Sequence, residues 1–129
     1  MRFLDLYDLY FAGNKKLIYF LLQSIIECIP ERFRDKYYKQ IDCINKIQWV
    51  LDVEADLYLD SSSICKGSLI NEWEEKVLAE IFIKDKAGKN YKLKVYAVNG
   101  HVFSIEGNLP FKYVTIDDIA DLDVKCGKD

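Results

Sequence analysis

Residues 49–60 read Trp49-Val50-Leu51-Asp52-Val53-Glu54-Ala55-Asp56-Leu57-Tyr58-Leu59-Asp60, and their character alternates almost residue by residue. Trp49, Leu51, Val53, Ala55, Leu57 and Leu59 fall on one side, and Val50, Asp52, Glu54, Asp56, Tyr58 and Asp60 on the other. Successive side chains of a β-strand point to opposite faces, so this spacing predicts one half-buried strand starting near Gln48. The same residues mark where the apolar period changes from about 3.6 to about 2, so a helical region gives way there to a sheet.

Upstream, Phe3, Leu6, Tyr7, Tyr10 and Phe11 recur at helical spacing until Gly13-Asn14 stops them. A second helix is predicted over residues 14–28, with a stripe of Ile18, Leu21, Leu22, Ile25 and Ile26 that continues to Ile29. Leu17, Tyr19 and Phe20 widen that stripe, so this helix should be buried on most sides. Pro30 breaks it and suits the first turn of a third helix, where a missing N–H costs nothing. Phe33, Tyr37, Ile41 and Ile44 form the third stripe, and Arg32, Arg34, Lys36, Lys39 and Lys46 its basic outer face.

Downstream, residues 61–71 read as a polar loop, and residues 76–84, 91–98 and 102–106 as three further strands. Thr115-Ile116-Asp117-Asp118 has the form of a capping box and opens a short helix with Ile116, Ile119 and Leu122 on one side. Parity fixes the hairpins. The core-facing residues are Val77, Ala79, Ile81 and Ile83, then Tyr91, Leu93, Val95 and Ala97, then Phe103 and Ile105, all odd-numbered. Odd can face odd only across an odd-length loop. Three-residue loops, Lys86-Ala87-Gly88 and Val98-Asn99-Gly100, set Ile81 opposite Leu93, Leu93 opposite Ile105 and Val95 opposite Phe103. Glycine then takes the left-handed position that each loop requires. Helices followed by strands indicate an α+β class. The expected architecture is one domain over residues 1–129, helical over 1–47, sheet over 48–107, with a C-terminal segment from 108. Its N-terminal helices pack on one face of a four-stranded antiparallel meander, and a short helix closes the chain.

Half of the 129 residues are apolar and 14% aromatic, enough for one packed core and unlike a disordered tail or a disulfide-knotted miniprotein. Eighteen bases against 21 acids give a net charge of −3, which argues against direct binding of nucleic acid or an anionic membrane. Charge is uneven: residues 1–47 carry eight bases and six acids, whereas the rest carries ten bases and fifteen acids. Leu17 to Ile29 is too short, and too interrupted by Gln23, Ser24 and Glu27, to cross a bilayer, which takes about 20 residues. Asp5 and Asp8 stand where a secretory signal would be basic. The expectation is therefore a cytoplasmic protein in which Cys28, Cys43, Cys65 and Cys126 are all free thiols; no CxxC pair occurs.

Catalytic patterns are sparse. His101 is the single histidine, so a nucleophilic site would have to pair it with one of the cysteines. Lys66-Gly67-Ser68 reverses the Gly-Lys order of a phosphate loop, and Ser61-Ser62-Ser63 lacks the glycines of a nucleophile elbow. Asp52, Glu54 and Asp56 share one strand face at the spacing that lets carboxylates hold Mg²⁺ or Ca²⁺. With Glu74-Glu75-Lys76 they resemble, in the order Asp…Glu-x-Lys, metal-dependent nucleases of the PD-(D/E)xK type. No pattern calls for an organic cofactor.

The even-numbered face carries more information. Asp52, Glu54, Asp56 and Tyr58 on the first strand, Phe82 on the second and Tyr96 on the third interleave acids with aromatic rings, as protein interfaces do. In overall make-up, small, acidic and α+β, the chain resembles the bacterial immunity proteins that neutralise toxin domains. That resemblance implies a non-catalytic inhibitor of a basic toxin or nuclease domain. The alternatives are a metal-dependent hydrolase using the acidic strand, and a structural domain that pairs with its own copy as a homodimer.

Overall fold

The computed structural model of the chain describes residues 14–127. The predicted helix over residues 3–11 lies outside them. Helix α1 (Lys15–Ser24) buries Leu17, Ile18, Leu21 and Leu22, and the stripe continues through buried Ile25 and Ile29. The chain tightens into a 3₁₀ turn at Ile26–Cys28, breaks at Pro30, turns again over Glu31–Phe33 and enters α2 (Arg34–Asp42). This helix is shorter than its stripe suggested. Tyr37 and Ile41 are buried from it, but Ile44 and Lys46 already belong to strand β1 (Ile44–Val50).

The alternating stretch is not one strand. β1 turns at residues 51–53 and returns antiparallel as β2 (Glu54–Leu59), pairing Val50 with Glu54, Trp49 with Ala55 and Ile47 with Leu57. Three residues between paired positions preserve parity, so the period of two runs through the turn unbroken. No glycine marks it: Leu51 (φ 51) and Asp52 (φ 59) both take the left-handed conformation. Leu51, expected to face the core, is 86% exposed at the tip.

After the short helix α3 (Ser63–Lys66) come β3 (Glu75–Asp85), β4 (Asn90–Val98), β5 (His101–Gly107) and β6 (Ile119–Cys126). They form one six-stranded sheet in the order β1-β2-β5-β4-β3-β6, with every neighbour antiparallel. The sheet is therefore wider than a four-stranded meander. Residues expected to form a C-terminal helix make only a 3₁₀ turn, Ile116–Asp118, before β6 pairs Leu122 with Ile83 and Val124 with Ile81. Leu122 and Val124 keep strand alternation, Ile119 joins them across an irregularity beside Asp85, and the free edge of β3 decides against the helix.

The β3–β4 loop is the expected three residues, with Ile81 opposite Leu93 and Gly88 at φ 88. The β4–β5 loop is not. Val98 pairs with His101 across Asn99 (φ 53) and Gly100 (φ 91), a two-residue turn of the type that Asn-Gly favours. A bulge then restores parity, because Ala97 faces Val102 whereas Tyr96 faces Ser104. Leu93 lies opposite Gly107, and Val95 opposite Ile105. Leu93, Val95 and Ile105 still share the buried face, but Val102 takes the core place expected of Phe103. β3 bulges likewise, burying Leu78 and turning Val77 outward opposite Tyr96.

Residues 61–74 are no mere solvated loop. Ile70 and Trp73 are buried, with Trp73 edge-on to Tyr37 at 6.2 Å. Buried Gln40 fixes this segment to the hairpin: its Nε2 donates to the Ser68 and Gly100 carbonyls (2.8 and 3.0 Å), and its Oε1 accepts from the Val102 N–H (2.9 Å). The Tyr37 hydroxyl donates to the Leu22 carbonyl at 2.6 Å, and burial pushes its phenol far above the usual range. The cysteines overturn the free-thiol expectation: Cys28 is bonded to Cys126 and Cys43 to Cys65. Separations of 98 and 22 residues gave no local signal for either pair.

Candidate protein-binding face

Side chains of α1, α2 and residues 65–73 pack on one face of the sheet with the buried residues of β2–β5. The opposite face carries the even-numbered residues of β2 and their cross-strand partners. Its central row runs across all six strands in register: Val50, Glu54, Glu106, Lys94, Glu80 and Lys125. Beside it runs Gln48, Asp56, Ser104, Tyr96 and Val77.

Five of the six residues singled out from the sequence share this face. Glu54 and Asp56 are adjacent on β2, and Tyr96 lies in line with Asp56 across Ser104. Tyr58, 38% exposed, stands edge-on to Phe103 at 6.0 Å, and the Lys46 ammonium sits 5.6 Å from its ring centre. Phe82, 39% exposed, lies between Lys92 and Asp123, three strands from β2, or about 14 Å at ordinary strand spacing. Asp52 is in the β1–β2 turn instead, 4.0 Å from the Lys112 ammonium. Glu106, Ser104 and Phe103 complete the face: Ser104 and Glu106 lie on the even side that parity already assigned outward, whereas Phe103, expected inward, is turned out by the bulge in β5.

The two halves of the face differ electrostatically. On β3, Glu80 meets Lys92 at 3.1 Å, and that bond, with the charges of Lys92, Lys94 and Lys125, holds its carboxyl below the usual range. On β2 and β5 no such cations dominate. Glu54 is hydrogen-bonded to Asp56, partly buried, and crowded by the charges of Asp56 and Glu106, which push its carboxyl up to about 7. Asp56 Oδ1 is shielded from water and accepts no hydrogen bond from an N–H among the described residues. Burial and Glu106 also raise the Tyr96 phenol. The result is a patch of crowded negative charge flanked by Tyr58, Phe103 and Tyr96.

The catalytic alternatives gain little from the geometry. His101 Nδ1 lies 2.8 Å from the Val102 carbonyl and shares a cavity of about 340 Å³ with Cys65, Tyr58 and Phe103. Cys65 is bonded to Cys43, and no cysteine is left as a thiol to act as nucleophile. Glu75 and Lys76 open β3, with β4 and β5 between them and the acids of β2, so the Asp…Glu-x-Lys residues do not converge. Among the described residues no group of three or more His, Cys, Asp or Glu side chains is placed to hold a metal ion. No described helix is long and apolar enough to cross a membrane.

Comparison of the chain with protein-family models, with curated proteins and with solved structures finds no match.

Proposed function

We propose that the chain is a non-catalytic protein-binding module whose open sheet face docks a basic partner, as an immunity-type inhibitor of a toxin or nuclease domain would. One observation carries this reading: the crowded carboxylates of Glu54, Asp56 and Glu106 on a face that also presents Tyr58, Phe103 and Tyr96. Like charges that crowd one another in the free protein are relieved when an arginine or lysine arrives, so the unfavourable contact favours association. Aromatic rings beside a polar rim supply the apolar part of an interface. Phe82 and the Lys92–Glu80 pair extend the face toward β3.

The compartment follows the cysteines. A cytoplasmic protein keeps its thiols reduced, whereas two disulfides suit an oxidising compartment, and we place the module there. The test uses the product of the neighbouring open reading frame as the probe partner, with surface plasmon resonance as the readout. Replacing Glu54, Asp56 and Glu106 by their amides should slow association at least about tenfold at low salt and flatten its salt dependence. Binding with an unchanged association rate would refute the reading. Micromolar binding of Mg²⁺ or Mn²⁺ at these carboxylates, measured by calorimetry, would favour the hydrolase instead.

A further inference from the structure

The two disulfides sit in unlike surroundings. Cys43 and Cys65 are 9% and 7% exposed, within the layer beneath the sheet. Cys28 is half-buried, and Cys126 is exposed at the end of β6. β6 is an edge strand with β3 as its single neighbour, and none of its eight residues is fully buried. Beyond it, the Gly127 N–H donates to the Leu78 carbonyl at 2.9 Å, and a side chain at Gly127 would collide with the Val77 carbonyl. Few buried contacts and one neighbour are the marks of an element that opens locally. The bond to Cys28 is its covalent tie to the helical layer.

We propose that Cys28–Cys126 is a thiol-exchange site: a dithiol reductant opens it while Cys43–Cys65 stays oxidised, and the opening releases β6 from β3. The reductant's thiolate attacks Sγ of Cys126, the more exposed partner, forming a mixed disulfide, and Cys28 Sγ leaves as a thiolate that takes up a proton. The reductant's second thiolate then attacks its own sulfur in the mixed disulfide, closing the reductant's internal disulfide and releasing Cys126. Two electrons pass from the dithiol to the cystine. Access selects the bond, because exchange requires in-line approach to a sulfur, and a buried pair denies it. Release leaves the Ala79–Asp85 edge of β3 without the strand that now pairs with it. The case for this site uses burial and topology and does not rest on the docking reading, although Lys125 and Asp123 of β6 border the same face.

Dithiothreitol is the probe. The oxidised protein is exposed to graded concentrations, quenched with an alkylating agent and mapped by mass spectrometry. Cys28 and Cys126 should be alkylated at concentrations at least about tenfold lower than Cys43 and Cys65. In the selectively reduced protein, hydrogen-exchange protection over residues 79–85 and 119–126 should fall at least about tenfold, with residues 54–59 unchanged. The Cys28→Ser/Cys126→Ser variant should show the same loss without reductant; should it fail to fold, the selectively reduced wild type decides. Reduction of both disulfides together would overturn the proposal, and so would selective reduction that leaves β3 and β6 protected.

Discussion

Glu54→Gln isolates the carboxylate cluster, because glutamine keeps the shape and a donor for Asp56 but carries no charge. In the wild type the Glu54 carboxyl rises from 4.5 to about 7, chiefly through its hydrogen bond to Asp56 and then through burial and the charges of Asp56 and Glu106. A shift of that size is worth roughly 3 kcal/mol. Solvent screening on an open face reduces it to about 1–2 kcal/mol. The sign follows from proton binding. Between 4.5 and about 7 the folded state holds the proton more tightly than the unfolded chain, so this contribution is present at low pH. It is lost as pH rises through that window and stays lost above it. Urea unfolding followed by Trp49 and Trp73 fluorescence, with disulfides intact, measures the effect on either side of the window. The variant should match the wild type near pH 4 and exceed it by about 1–2 kcal/mol near pH 8, with an unchanged denaturant slope. A difference between the two proteins that does not grow with pH would refute the reasoning. So would a variant less stable at the higher pH.

Three further substitutions probe the fold by the same urea assay. Gln40→Leu strands the Val102 N–H and the Ser68 carbonyl in the interior, while the Gly100 carbonyl keeps the Ile70 N–H, and should cost about 2–4 kcal/mol; a loss below half of that would mean water replaces the amide. Leu51→Gly removes a left-handed leucine that is 86% exposed, and should raise stability by about 0.5–1 kcal/mol rather than lower it. Cys43→Ala/Cys65→Ala opens a 22-residue closure and should cost about 3 kcal/mol, whereas a neutral result would assign that bond no role in folding.

Much of the sheet was legible because parity is a strong constraint: Ile81 opposite Leu93, and Leu93, Val95 and Ile105 on one face, follow from which positions are apolar. What parity cannot see are pairs of errors that cancel. A two-residue turn plus a bulge leaves the same face buried as a three-residue loop, so the β4–β5 hairpin was misread in detail while its face was right. The β1–β2 turn was hidden for the same reason, with no glycine or proline to reveal left-handed Leu51 and Asp52. β6 was misread because Ile116, Ile119 and Leu122 stripe at helical spacing, whereas the strand keeps alternation only from Leu122 to Val124 and needs an irregularity beside Asp85, so only an unpaired edge elsewhere in the sheet decides. Of the candidate face, the β2, β3 and β4 members were legible. Glu106 followed from the same parity as Ile105, but Phe103 did not, because a bulge is not written in side-chain alternation.

The placement of the disulfides explains why this sheet tolerates a crowded acidic face. Its central strands are held by burial: Leu93, Val95 and Ala97 on β4, and Val102 and Ile105 on β5, are all enclosed. The edges are not, since β6 has no fully buried residue and β1 has Ile44 alone. Each edge is instead crosslinked to the helical layer, β1 through Cys43, the residue before it, to Cys65 of α3, and β6 through Cys126 to Cys28 beyond α1. In the chain-entropy account such closures contribute about 3–5 kcal/mol each, comparable with several buried side chains. Stability is thus drawn from the helical side of the sheet and from its two margins, and the outer face contributes little. Glu54 can be crowded there by Asp56 and Glu106 at a local cost that the fold absorbs. Substitutions on the outer face therefore report chiefly on recognition, with a stability effect no larger than the one worked out for Glu54, whereas those at Gln40, Tyr37 or the cysteines report on folding.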